Sequence, residues 1–282
     1  MVELYPLVFK PIFKEKIWGG EKLSTFLDKD FSPLESSGES WELSAVEGSE
    51  SGVANGPLMG KTIDQLLKMY KSQLLGKSNY KRFGDEFPLL IKFIDASQDL
   101  SVQVHPDDVF AKELYGEDAM GKSEMWYIMQ ADAGASLISG FKQSIDKEEF
   151  KRRLKSSNLE PTLNREHVSA GDVFYIPAGR IHNIGKGLLI AEIQQTSDVT
   201  YRILDFDRLD KDGNKRELHV EKAADVLNFE VLDNYKQKFD DKSKSPIMLV
   251  DCKHFVSRKW ILKDLFLFDN QDIDSFKILI CV

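Results

Sequence analysis

The chain has 282 residues, 42% of them hydrophobic and 30% charged, an ordinary globular composition with enough length for one large domain or a main domain with a smaller companion. A formal net charge of −8 argues against nucleic acid or an anionic membrane as partner. Cys252 and Cys281 make neither a disulfide framework nor a metal-ligand spacing, the first residues lack signal-peptide features, and no apolar stretch has bilayer-crossing length, so a cytoplasmic protein is expected.

In chain order, Thr62-Ile-Asp-Gln65 reads as a capping box opening a helix, with Ile63, Leu66, Leu67, Tyr70 and Leu74 at helical spacing and Gly76 closing it. Strand-like runs follow at Pro88 to Ile94 and Leu100 to His105, then a short helix from Asp107 to Leu114 with acidic residues in its first turn. Strands are next expected at Glu124 to Met129 and Ala135 to Ile138, and a helix from Ser144 to Leu154. Further strands fall at Val173 to Ile176, Leu188 to Gln194 and Thr200 to Leu204, before a helix from Glu221 to Leu227. Short strands punctuated by Gly, Pro, Asn and Asp favour a sandwich or barrel over alternating βαβ units, so the fold class is mainly β with a few short helices. Lys236 to Pro246, rich in Lys, Asp and Ser, reads as an exposed linker. Beyond it, Met248 to Val250, Phe255 to Ile261, Leu265 to Phe268 and Phe276 to Val282 read as strands. The last of these ends mid-run and would leave a sticky edge, so the expected division is a main domain over 1–240 and, over 241–282, the opening strands of a second, truncated unit.

Four residues stand out as a divalent metal site. Side chains alternate across a strand, so Ser101, Gln103 and His105 share one face in Ser101-Val-Gln-Val-His105. A second run supplies Glu124, and Gly171-Asp-Val-Phe-Tyr-Ile-Pro177-Ala-Gly179-Arg-Ile-His182 delivers an imidazole after a turn, a strand and a Pro/Gly corner. Two imidazoles, a carboxylate and an amide oxygen form a set that zinc tolerates with a position left open for water. A single strand histidine is more often a hydrogen-bonded core residue; His105 and His182 escape that reading through the company they keep. His167, His219 and His254 lack such context and read as ordinary polar residues.

The Gly171–Pro177–Gly179–His182 spacing resembles the second motif of the cupins, small jelly-roll β-barrels that hold a metal inside. The usual first cupin motif is replaced by Gln103-Val-His105 with the carboxylate displaced to Glu124. Together with Lys16-Ile-Trp-Gly-Gly20, Gly38-Glu-Ser-Trp-Glu-Leu-Ser44, Gly121-Lys-Ser-Glu124 and Glu192-Ile-Gln-Gln-Thr-Ser-Asp-Val-Thr-Tyr-Arg-Ile203, this pattern resembles the type I mannose-6-phosphate isomerase (phosphomannose isomerase) family in its short bacterial form. The resemblance implies a zinc enzyme, one Zn2+ per chain, that interconverts mannose 6-phosphate and fructose 6-phosphate. By position it implies Gln103, His105, Glu124 and His182 as metal ligands and Arg202 as the active-site arginine. It also implies that the barrel is a cupin followed by a second, incomplete cupin-like domain.

An aldose–ketose isomerisation through a cis-enediol needs a base for the C2 proton and charge beside O1 and O2. Arg202 suits the second need, since its fork holds two oxygens. Lys122, on the Glu124 face, is a base or a phosphate ligand, and Glu192 is a second candidate base or a carboxylate that orients a ligand or pairs with Arg202. Ser101 is a candidate hydrogen-bond donor to phosphate or sugar. For Trp18, Trp41 and Trp126, core packing outweighs sugar stacking. Competing readings are another metal cupin acting on a sugar phosphate and a non-catalytic sugar-binding or regulatory cupin. The expected partner is a small hexose phosphate bound by a monomer or homodimer, with no nucleic acid and no membrane.

Overall fold

Strands dominate because short apolar, β-branched and aromatic runs alternate with Gly, Pro, Asn and Asp turns. The computed structural model describes residues 2–210, 212–239, 246–263, 265–267 and 273–282. Its strands are β1 (Ile12–Lys14), β2 (Glu39–Leu43), β3 (Leu89–Ala96), β4 (Val102–Val104), β5 (Glu124–Ala131), β6 (Ser136–Phe141), β7 (Leu163–His167), β8 (Val173–Ile176), β9 (His182–Ile184), β10 (Leu188–Gln195), β11 (Tyr201–Leu204), β12 (Ile247–Asp251) and β13 (Val256–Lys259). The helices are α1 (Lys22–Thr25), α2 (Ile63–Tyr70), α3 (Ser72–Leu75), α4 (Lys77–Phe83), α5 (Asp108–Tyr115), α6 (Lys147–Lys155) and α7 (Val220–Val226).

Two antiparallel sheets face each other. One has the order β1-β2-β3-β10-β5-β8 and the other β11-β4-β9-β6-β7, the jelly-roll arrangement of a cupin barrel. Alternation assigns the faces. On β10, Leu188 and Ile190 point into the barrel beside Ile94 and Ile128, while Leu189 and Ala191 point outward against Leu23 and Phe93. The outer face of the larger sheet is covered by α2, α3 and the β12–β13 hairpin, through Leu67, Leu75, Leu249 and Phe255. The outer face of the smaller sheet is covered by α6 and α7, through Phe150, Ala223 and Leu227. Coverage on both sides explains why every residue of Leu89–Ala96 is buried, including Lys92 and Asp95.

Several expectations need correction. The helix expected to run from Thr62 to Gly76 starts as a capping box, with Gln65 Oε1 accepting from Thr62 N at 3.2 Å, but breaks at Lys71 (φ +50°). The break turns the chain so that Leu67 and Leu75 both bury against one sheet, and α4 follows without having been expected. β1, β2, β7 and β9 were also not foreseen; all four are only three to five residues long. Phe276–Val282 is not a strand: Phe276 packs against Phe87 with the rings tilted and their centroids 4.8 Å apart, and Ile278 and Ile280 pack on the outer face of the larger sheet. Leu265–Leu267 is likewise irregular, and Phe268 lies outside the described residues. At the start of the expected linker, Lys236 bridges Phe174 and pairs with Asp172 at 2.7 Å; residues 240–245 lie outside the described residues.

Candidate metal centre and active site

The barrel interior changes character along its axis. At one end the inward positions are Ile94, Ile128, Ile184 and Ile190; at the other they are Lys92, Glu124, Glu192 and Gln194. The register sets these polar groups in rows: Glu192 lies opposite Lys92 on one side and Trp126 on the other. On the facing sheet Arg202, Gln103, His182 and Ser139 form one continuous cross-strand row. Directly opposed residues share a face, so this row lines the same interior.

His105, Glu124 and His182 are each 1% exposed, and one ligand atom from each lies within 4.8 Å of the others. Glu124 Oε2 is 3.5 Å from His105 Nε2, and its Oε1 is 3.6 Å from His182 Nε2. The remaining ring nitrogens bond outward to backbone carbonyls: His105 Nδ1 to Val199 O and His182 Nδ1 to Arg180 O, both at 2.8 Å. Each Nδ1 must carry the proton to make these bonds, which leaves both Nε2 lone pairs aimed at one point. Burial drives the His182 pKa down to about 3, and burial with the nearby Lys122 charge holds His105 well below the ordinary range. Both imidazoles are therefore neutral, the form that binds a metal. Glu124 Oε1 is buried with no hydrogen-bond partner. Neutral inward imidazoles and an orphaned carboxylate oxygen fit a divalent cation.

Local sequence explains the placement. Gly179 adopts φ +85°, and a Cβ there would lie 2.9 Å from Val226 O. Its N–H donates to His105 O at 2.9 Å, so the Pro/Gly corner ties the His182 segment to the His105 segment. Ile181, fully buried, anchors the residue before the ligand.

The other expected residues gather here too. Gln103 Nε2 lies 3.3 Å from His182 Nε2, and its Oε1 accepts from Ser101 Oγ at 3.0 Å. A half-turn of that amide brings its oxygen to the inward side. Ser101 thus orients Gln103 directly. Lys122, 4% exposed, donates from Nζ to Glu124 Oε2 at 2.6 Å and lies 3.0 Å from His105 Nε2. Glu192, 3% exposed, accepts from Trp126 Nε1 at 2.9 Å and lies 3.4 Å from Lys92 Nζ, so its ion-pair partner is Lys92. Burial, then the Glu124 charge, pushes the Glu192 pKa up. Arg202 donates from Nη1 to Glu217 O at 2.8 Å, while its Nε is buried without a partner. Trp126, fully buried, meets the His182 ring edge-on at 5.4 Å.

Two charged residues of the interior were not singled out from the sequence. Lys92 lies 3.8 Å from Glu39, which also pairs with Lys16 at 3.3 Å and accepts from Trp41 Nε1 at 2.6 Å. Burial alone would raise the Glu39 pKa, but Lys92, Lys16 and the indole bring it down to about 2. A lysine inside Leu89-Leu-Ile-Lys-Phe-Ile94 was the available signal, since an unpaired charge is not tolerated in such a run. His219, read as ordinary, in fact accepts at Nδ1 from Arg202 N at 3.2 Å. A surface cleft of about 430 Å³, lined by Lys22, Asp95, Asp132 and Lys186 among others, shares no residue with the His105–Glu124–His182 cluster.

Fold and site together define a cupin barrel with a candidate internal metal centre. Residues 7–131 match the family model "Phosphomannose isomerase type I, catalytic domain". The chain is 42% identical over 258 residues to a probable mannose-6-phosphate isomerase of Bacillus subtilis, GmuF, covering 91% of this chain and 79% of that one. It is 43% identical over 222 residues to the mannose-6-phosphate isomerase of Streptococcus mutans, covering 79% and 67%. The crystal structure of the Bacillus subtilis mannose 6-phosphate isomerase superposes with a TM-score of 0.80 at 38% identity, covering 90% of this chain and 79% of that one. The chain belongs to the type I phosphomannose isomerase family of enzymes. A zinc-bound mannose 6-phosphate isomerase shares the fold, with a TM-score of 0.69 at 15% identity, covering 89% and 82%.

Proposed function

We propose that the protein is a zinc-dependent aldose–ketose isomerase that interconverts mannose 6-phosphate and fructose 6-phosphate through a cis-enediol. The observation that carries this reading is the convergence of His105, Glu124 and His182 on one buried point, with Arg202 in the same interior row as Gln103 and His182. His105, Glu124 and His182, with Gln103 turned inward, would hold one Zn2+. Bound zinc supplies a Lewis acid beside the sugar oxygens.

The chain's own residues account for the rest. Glu192 is the base for the C2 proton: it is buried, its pKa is raised toward working pH, and Trp126 fixes its carboxylate. Lys92 beside it steadies the ionised form. Arg202 offers its unpartnered Nε edge to the oxygens on which charge builds. Lys122 and Ser101 take the phosphate end of the substrate, and Lys122 is the alternative base. In this reading the enzyme works in the cytoplasm, where free thiols such as exposed Cys281 stay reduced. Residues 241–282 are proposed as the opening strands of a second cupin-like domain: the two-stranded β12–β13 sheet joins neither barrel sheet, and it packs through Leu249 and Phe255 on the outer face of the larger one.

The test is turnover of mannose 6-phosphate labelled at the C2 hydrogen by zinc-loaded protein. The proposal expects fructose 6-phosphate together with exchange of the label into solvent. Zinc-loaded protein that binds the sugar and exchanges nothing would be a binding module instead.

A further inference from the structure

Downstream of Arg202 the chain builds a second charged cluster that the isomerase reading does not use. Asp205, 7% exposed, accepts from Arg216 through both oxygens, Nε to Oδ2 at 2.7 Å and Nη2 to Oδ1 at 2.5 Å. It also accepts from Arg208 Nη2 at 2.6 Å. Arg208 is tied further, to Asp205 O at 3.3 Å through Nε and to Asp99 O through Nη1. One carboxylate thus holds two guanidiniums in fixed directions next to a third, Arg202.

The connection to Arg202 runs through the backbone. Arg216, gripped by a two-point fork, is followed by Glu217, whose carbonyl accepts from Arg202 Nη1 at 2.8 Å. Two residues further, His219 accepts from Arg202 N at 3.2 Å and donates its own N–H to Arg202 O at 2.7 Å. The 216–219 segment is therefore a brace: one end is fastened by Asp205, and the other sets where the Arg202 guanidinium points. Among the described contacts Arg202 Nε is buried and unpartnered, so the brace leaves that edge free. A planar guanidinium pinned at one nitrogen presents its remaining edge in one direction only.

We propose that Asp205 is a positioning residue: by clamping Arg216 it fixes the Glu217 carbonyl and so aims the free edge of Arg202 at the reacting oxygens. This rests on the isomerase reading for the destination of Arg202, while the clamp itself is independent of it. Removing Asp205 leaves the Arg202 charge in place but unaimed, and deprives Arg208 and Arg216 of their shared carboxylate.

The experiment compares Asp205→Asn in two backgrounds, the unmodified enzyme and Arg202→Ala, with zinc content measured throughout. In the first, kcat falls about tenfold or more, the scale on which outer partners of a reacting group act, with KM changed less than about threefold and zinc retained. In the second, Asp205→Asn changes kcat less than about twofold, because there is no guanidinium left to aim. Equal fold-losses in both backgrounds mean a purely structural role and overturn the proposal, as does an unchanged kcat in the first. If Asp205→Asn does not fold, Arg216→Lys, which keeps the charge and loses the fork, is carried through the same comparison. A crystal structure of the folded variant reads the clamp without turnover: the Arg202–Glu217 carbonyl contact is expected to be lost, and an unmoved Arg202 overturns the proposal. If the unmodified zinc protein shows no isomerisation, the isomerase reading fails while this second readout still decides the clamp.

Discussion

Replacing Glu39 by Gln removes a carboxylate from the charge chain that runs from partly exposed Lys16 through Glu39 to buried Lys92 and Glu192. The Glu39 pKa falls from an ordinary 4.5 to about 2, against burial, through Lys92, Lys16 and Trp41. A shift of roughly 2.5 units corresponds to about 3 kcal/mol of folding stability at neutral pH. Because the folded pKa is depressed, that stability is full above the unfolded value and is lost as pH falls from about 5 towards 2. The Gln variant should therefore unfold in urea about 3 kcal/mol more easily at pH 7, and the gap should shrink to less than half by about pH 3. A gap that stays constant from pH 7 to pH 3 would show that the loss comes from packing and not from the ionised carboxylate.

Three other outcomes follow from the same geometry. Glu192→Gln should cut turnover roughly 10²- to 10⁴-fold; in the unmodified enzyme turnover should fall as pH drops through the raised Glu192 pKa, above 4.5. A pH–rate profile in which the variant keeps that acid limb would assign it to another group. His182→Ala should weaken zinc by more than the about 10–100-fold that loss of an outer partner costs, read by competition with a chelator; unchanged affinity would remove His182 from the ligand set. Leu67→Ala, at a fully buried position under the larger sheet, should cost about 2–5 kcal/mol in urea unfolding, and a loss well under 1 kcal/mol would mean that α2 is not part of the barrel's packing.

The long central strands were legible because their length and β-branched or aromatic content left little choice: Glu124 to Met129 and Leu188 to Gln194 were located to within two residues at each end. The candidate ligands were legible for a related reason. A period of two puts Gln103 and His105 on one face, and a Pro/Gly corner delivers His182 opposite Gln103. What the sequence hides are pairings set by tertiary register. That Glu192 answers to Lys92 rather than to Arg202 depends on β10 lying between β3 and β5, which no local pattern encodes. The Asp205 clamp joins residues eleven apart across an irregular loop, where neither period applies. The final apolar run misled because apolar content alone does not separate a strand from an extended segment packed on another sheet.

In the proposed enzyme His105, Glu124 and His182 grip one cation inside the barrel. Anomalous diffraction from zinc-loaded crystals tests it most directly: a single zinc peak is expected at about 2.0–2.2 Å from His105 Nε2, His182 Nε2 and a Glu124 oxygen. Zinc bound elsewhere, with these three side chains left as a metal-free hydrogen-bonded cluster around Lys122, would contradict it.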